Sequence, residues 1–105
     1  MRAARNGFVY SFDRLNGQFL KATQYVSQVT WTKGIDPKTG KPLDYDPTKD
    51  LQTYAQPVAQ MLTGAKASFC PGVPGGNNFW PASYSRARNM IYIPTLEGCT
   101  WAQRD

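Results

Sequence analysis

Nine glycines and eight prolines punctuate the 105 residues, and no other feature limits so strongly what the chain can build. Both residues weaken or break helix interiors, and both supply the torsions that tight reversals need. Three Trp, six Tyr and five Phe stand between the breaks, and such side chains suit a pleated, half-buried surface. The expected class is all-β, with short strands joined by turns rather than long helices.

The clearest local pattern lies near the start. From Asn6 to Asp13, Phe8, Tyr10 and Phe12 alternate with Val9, Ser11 and Asp13, the period of a strand. Arg14-Leu15-Asn16-Gly17 then offers a reversal, because Asn and Gly accept positive φ, and Gln18 to Thr23 reads as the returning strand. Tyr25 to Thr32, with Tyr25, Val29 and Trp31, is a candidate third extended segment. Asp36-Pro37-Lys38-Thr39-Gly40-Lys41-Pro42 is an exposed turn-rich loop. Leu51, Tyr54, Ala55, Val58 and Leu62 fall at helical spacing, but Pro57 limits them to two short turns at most. Lys66 to Cys70 resumes strand character. Phe79 to Tyr84 and Asn89 to Thr95 form a second hairpin through Ser85 to Arg88. Apolar residues on both faces of its second strand, Met90 and Tyr92 against Ile91 and Ile93, predict burial between layers. Thr30 to Gly64 is a long stretch with little regular structure, of the kind that covers the mouth of a site on a larger scaffold.

Several chemistries are excluded by what the chain lacks. It has no histidine and two cysteines, which removes the Ser-His-Asp triad, the Cys-His dyad and an all-cysteine zinc site. Asp44, Asp46 and Asp50 are spaced like the start of a calcium loop, but the central Gly and closing Glu of an EF-hand are missing, so they read as loop polarity. The three glycines between Gly72 and Gly76 lack the strand-to-helix context of a phosphate cradle. No run approaches the ~18 apolar residues of a membrane span, and Met1 to Asn6 has no apolar core behind it, so the chain reads as soluble. The formal charge of +5 comes from basic residues scattered singly, which argues against a nucleic-acid partner.

The residues then resemble a family. Arg5-Asn6-Gly7-Phe8-Val9-Tyr10-Ser11-Phe12-Asp13-Arg14-Leu15-Asn16-Gly17 is similar to the Arg/Lys-Asn-Gly-Phe-x-Tyr-x-Leu-Asp-Arg-x-Asn-Gly signature of the pyrroloquinoline quinone (PQQ)-dependent alcohol dehydrogenases. Trp31-Thr32-Lys33-Gly34-Ile35-Asp36 with the following turn resembles the next family segment. Cys70-Pro71-Gly72-Val73, Gly75-Gly76-Asn77-Asn78-Phe79-Trp80-Pro81-Ala82-Ser83-Tyr84 and Ile91-Tyr92-Ile93-Pro94 resemble the one after. These pieces occur in family order over most of the chain, with Leu51 to Gly64 the least matched.

The resemblance implies a partial β-propeller with a long irregular loop insertion: residues 1 to 105 as a fragment, about two blades of an eight-bladed propeller. It also implies PQQ and a calcium or lanthanide ion in the parent enzyme, a small alcohol as substrate, hydride transfer to the quinone, a cytochrome c acceptor and a periplasmic location. Arg5 matches the family cation beside the quinone oxygens, where a fixed guanidinium stabilises charge arriving on reduction. Asn78 matches an Asn whose amide, both donor and acceptor, reaches the cofactor. Phe79 stands where many relatives have a Trp near the cofactor, and Trp80 is a candidate wall residue. Cys70 and Cys99 match cysteines that are bridged in some relatives. No catalytic residue and no metal ligand is expected here: the family's aspartate and ligands precede the Arg-Asn-Gly motif, and none of Asp13, Asp36, Asp44, Asp46 or Asp50 matches them. The chain alone is therefore expected to be inactive. Without the resemblance, Arg5 reads as a solvated cation and Asn78 as a turn residue. The alternative function is a non-catalytic propeller-like repeat module for binding or scaffolding.

Overall fold

The computed structural model describes residues 1–52 and 66–103. Among them every regular element is a strand: β1 (Arg2–Ala3), β2 (Phe8–Phe12), β3 (Phe19–Gln24), β4 (Lys66–Phe69), β5 (Ser83–Ser85), β6 (Met90–Tyr92) and β7 (Thr100–Gln103). They form a three-stranded sheet in the order β1-β2-β3 and two antiparallel pairs, β4-β7 and β5-β6. The candidate helical turns after Leu51 lie largely outside the described residues.

The first hairpin forms as the alternation predicts. Val9 pairs with Thr23 and Tyr10 with Ala22, and the register shifts between Ser11 and Phe12. Its reversal is closed by the Asp13 amide donating to the Gln18 carbonyl at 2.8 Å, while the Asp13 and Asn16 side chains accept from the Leu15 and Gln18 amides. Of the two expected turn residues, Gly17 takes the left-handed torsion, with φ 74°. The alternating aromatic face becomes a line of rings, Phe8, Tyr10, Phe12 and Phe19, with successive centroids 6.3, 6.3 and 6.2 Å apart. Trp31 meets Phe8 edge-on at 6.1 Å.

Tyr25 to Thr32 is not a strand. Its amides go to scattered partners, Tyr25 to the Gly7 carbonyl and Thr30 to the Cys70 carbonyl, so it packs as irregular chain around buried Val26. The correction has a physical cause: periodicity marks which side chains are apolar, and here they wrap a turn instead of lining a ladder. The second hairpin forms with Tyr84 opposite Ile91 but is shorter than expected, since Phe79 to Ala82 and Ile93 to Thr95 lie outside its strands, and β6 is not buried. Met90, Ile91 and Tyr92 are 50, 41 and 46% exposed, because the first sheet meets Ile91 and Ile93 only across an open cavity lined by Val9, Ser11, Lys21 and Thr23.

Strand β7 goes unnoticed by periodicity, yet the cysteines carry its signal. Cys70 and Cys99 are bridged. The bridge brings the chain after Cys99 beside the chain before Cys70, and Phe69 duly pairs with Thr100. Among the described residues the buried apolar set is small: Phe8, Val26, Ala67 and Cys70. With so little core, the covalent link carries weight. For cysteines 29 residues apart, the chain-entropy contribution is roughly 3–4 kcal/mol. Denaturant titration of a Cys70→Ala, Cys99→Ala variant should show a loss of that order; a loss below about 1 kcal/mol would show that the bridge is not a main support.

Candidate functional site

The turn from Ala4 to Gly7 presents four successive carbonyls, and each accepts a hydrogen bond from outside the turn. The Tyr25 hydroxyl donates to the Ala4 carbonyl at 2.7 Å. Gly76 donates its amide to the Arg5 carbonyl at 2.9 Å. The Trp31 indole donates to the Asn6 carbonyl at 2.8 Å, and the Tyr25 amide to the Gly7 carbonyl at 3.0 Å. Within the turn, the Asn6 side-chain carbonyl accepts from the Phe8 amide. Such complete pairing is what backbone groups require where water is displaced.

Arg5 and Asn78, 73 residues apart, meet here. The Arg5 guanidinium donates to the Asn78 side-chain carbonyl at 2.8 Å, and the Asn78 side-chain amide donates to the Pro74 carbonyl at 2.9 Å. Among the described residues the one salt bridge is Lys49 with Asp46, so no carboxylate neutralises Arg5. Among the described residues, its remaining N–H donors and one N–H of Asn78 meet no acceptor, and they lie beside each other. The loop comes this close because Gly75 and Gly76 have no side chain. A Cβ on Gly75 would lie 2.6 Å from Arg5 Cβ, and one on Gly76 would lie 2.5 Å from Val26 Cγ1 and 2.8 Å from the Tyr25 hydroxyl oxygen. Asn77 donates to the Pro94 carbonyl at 2.7 Å, and Leu96 donates to the Gly76 carbonyl, so the outgoing chain holds the loop as well.

Phe79 follows Asn78 but turns outward, 79% exposed, and its described ring contact is Trp80, at a centroid distance of 4.5 Å. The structure thus joins Arg5 to Asn78 and leaves Phe79 with Trp80 on the rim. Sequence patterns do not pick out Tyr25 as part of this arrangement. Its hydroxyl pKa is raised, first by burial and then by the Glu97 carboxylate, which favours the protonated donor. Glu97 is itself fixed, accepting from the Ser27 amide at 3.0 Å and the Ser27 hydroxyl at 2.7 Å.

Asp44 and Asp46, two of the three aspartates with calcium-like spacing, serve the loop, as does Asp36. The Asp44 carboxylate accepts from the Thr32 hydroxyl at 2.8 Å and the Lys33 amide at 2.9 Å. Asp46 accepts from the Thr48 amide and hydroxyl, and Asp36 accepts from the Lys38 and Thr39 amides. Among the described residues, no three His, Cys, Asp or Glu side chains gather as a metal site. The hydrogen bond from the Lys33 amide, then that from Thr32, holds the Asp44 pKa below its ordinary value.

No family model matches the sequence. The chain is 36% identical over 92 residues to a quinoprotein ethanol dehydrogenase of Pseudomonas putida, spanning 88% of this chain and 14% of that protein. It is 36% identical over 95 residues to a lupanine 17-hydroxylase [cytochrome c] of a Pseudomonas species, spanning 90% of this chain and 12% of that protein. Among solved structures, a europium-containing methanol dehydrogenase superposes with a TM-score of 0.61 at 32% identity, over 87% of this chain and 14% of the other. The chain therefore spans only a small part of the length of the relatives it matches. Its all-β fold is that of part of a β-propeller.

Two outcomes follow from the geometry. Gly75 has φ +79° and its Cβ position is blocked by the Arg5 backbone, so Gly75→Ala should cost about 1–3 kcal/mol in denaturant titration, and an unchanged midpoint would contradict the close approach. A lowered aspartate pKa means that the loop's contribution is complete above the ordinary aspartate range and is lost as pH falls through the lowered value. Carboxyl NMR titration should therefore place the Asp44 midpoint below that of an aspartate in an unstructured peptide, and Thr32→Val should raise it.

Proposed function

This chain is a homologue of one segment of the quinoprotein alcohol dehydrogenases, and on that premise we propose that it supplies the Arg5–Asn78 part of a PQQ site in a propeller dehydrogenase. Residues 1 to 105 would form about two blades of an eight-bladed propeller, with further blades covering the apolar faces that β6 leaves open. The observation that carries the reading is the contact between Arg5 and Asn78 at 2.8 Å, since both residues come from separate motifs that resemble cofactor-facing family segments.

The donor set fits a quinone. An unneutralised guanidinium beside a side-chain amide suits oxygens that gain negative charge on reduction, and a planar fork can serve Asn78 and a ligand oxygen together. PQQ, when bound, supplies the hydride acceptor. Arg5 binds and orients it through its N–H donors, with Asn78 keeping the guanidinium in place. Phe79 and Trp80 form an aromatic rim that limits water at the edge of the site. The substrate is a small alcohol, electrons leave to a cytochrome c, and the setting is the periplasm, where a Cys70–Cys99 bridge persists. A calcium or lanthanide ion and the proton-accepting aspartate would come from residues outside this chain. The chain by itself would not turn over substrate.

The test is PQQ titration, with calcium present, of the complete polypeptide encoded at this locus. Arg5→Ala and Asn78→Ala should each weaken quinone affinity at least about tenfold, the scale of a lost charge-assisted hydrogen bond. Unchanged affinity in both variants would exclude Arg5 and Asn78 as the site, and no PQQ binding by the wild type would favour the non-catalytic repeat module.

A further inference from the structure

One residue holds both ends of the turn that carries Arg5. The Tyr25 hydroxyl donates to the Ala4 carbonyl at 2.7 Å, and its amide donates to the Gly7 carbonyl at 3.0 Å. The same side chain lies under the glycine loop: a Cβ on Gly76 would meet the Tyr25 hydroxyl oxygen at 2.8 Å and ring carbon Cε2 at 3.1 Å. Gly76 in turn donates to the Arg5 carbonyl at 2.9 Å, and Asn78 lies two residues further along. Tyr25 therefore bonds the turn on both sides of Arg5, at Ala4 and Gly7, and lies against Gly76, two residues before Asn78, with no described hydrogen bond to either side chain.

We propose that Tyr25 is a positioning residue for quinone binding, which sets the distance between the Arg5 turn and the Gly75–Gly76 step and so keeps the guanidinium against Asn78. The inference rests on the reading of Arg5 and Asn78 as quinone-binding residues. An exposed arginine has many rotamers to lose on binding. The backbone on either side of Arg5 is held by the Ala4 carbonyl's two donors, Tyr25 and the Gly7 amide at 3.2 Å, and by Gly76. Removing the Tyr25 hydroxyl leaves the ring as packing but gives the Ala4 carbonyl only the longer partner. The effect on the ligand must then pass through Arg5, and a role of that kind has a thermodynamic signature: its loss is not additive with loss of Arg5.

The experiment is a double-mutant cycle on the complete polypeptide. PQQ with calcium is titrated against the wild type, Tyr25→Phe, Arg5→Ala and the double variant, with binding read by quenching of protein fluorescence and folding by thermal melting. Tyr25→Phe should weaken quinone affinity about fivefold, the size of one neutral hydrogen bond, and should add nothing in the Arg5→Ala background. Unchanged affinity in Tyr25→Phe, or an equal loss in both backgrounds, overturns the inference while leaving the quinone site intact. Wild-type affinity in Arg5→Ala overturns the quinone site and the inference with it. Should Tyr25→Phe fail to fold, Tyr25→Met, which also removes the hydroxyl, enters the same cycle, and a loss that persists in the Arg5→Ala background overturns the inference.

Discussion

The constraint on which this structure depends is the pairing of four consecutive carbonyls, from Ala4 to Gly7. Their donors come from Tyr25, Trp31 and Gly76, residues on two segments that share no sheet with one another. A buried backbone group left unpaired costs about 1–3 kcal/mol. Gly7 is buried and Ala4 and Asn6 are partly so, so the turn is fully paired within the protein when the irregular chain after β3 and the glycine loop after the disulfide both close on it. Packing follows the same geometry: a Cβ on Gly7 would meet Val26 and Val29 at 2.7 and 3.0 Å and Pro71 at 3.2 Å, and buried Phe8 and Val26 sit beside the turn. Hydrogen bonding ties these segments together, and the small apolar core packs beside the same turn.

The loop that carries Asn78 is held at both its ends. At its base the Cys70–Cys99 bridge is reinforced by Gly72 donating to the Gly98 carbonyl and by the Val73 amide donating to the Thr100 hydroxyl. At its tip Gly76 is bound to Arg5 and receives Leu96. A loop fixed at one end would sweep its side chains through a wide arc, whereas one fixed at both presents Asn78 in a set direction. That is how a site on irregular chain obtains the positional accuracy usually supplied by strands.

The first hairpin was legible in the sequence because alternation and turn chemistry agree over Phe8 to Gln24. The later segments were less so. Val29 and Trp31 carry the same kind of apolar signal as a strand, but nothing in a period distinguishes side chains that line a sheet from ones that wrap a turn. For β6 the alternation marks two apolar faces, but burial does not follow from them, since a covering layer is a property of neighbours. Arg5 and Asn78 are ordinary residues by spacing and burial. Only their resemblance to family motifs singled them out, and only the folded chain shows that they touch. Tyr25 is marked in the sequence only as an apolar residue of the segment after β3, because its role is exercised on backbone carbonyls, which leave no mark in the pattern of side chains.

A chain without histidine must leave proton transfer near neutrality to other groups, and its polar inventory is arranged accordingly. The carboxylates of Asp36, Asp44 and Asp46 are spent on nearby amides and hydroxyls, and that of Glu97 on Ser27. None of them reaches Arg5. Had one done so, the guanidinium would be neutralised and its fork occupied, leaving little to offer a polarised oxygen. A neutral amide as partner has the opposite effect: Asn78 directs one donor of Arg5 while leaving its charge whole. On the proposed reading, the separation of acidic groups from this single cation matters as much to quinone binding as the contact itself.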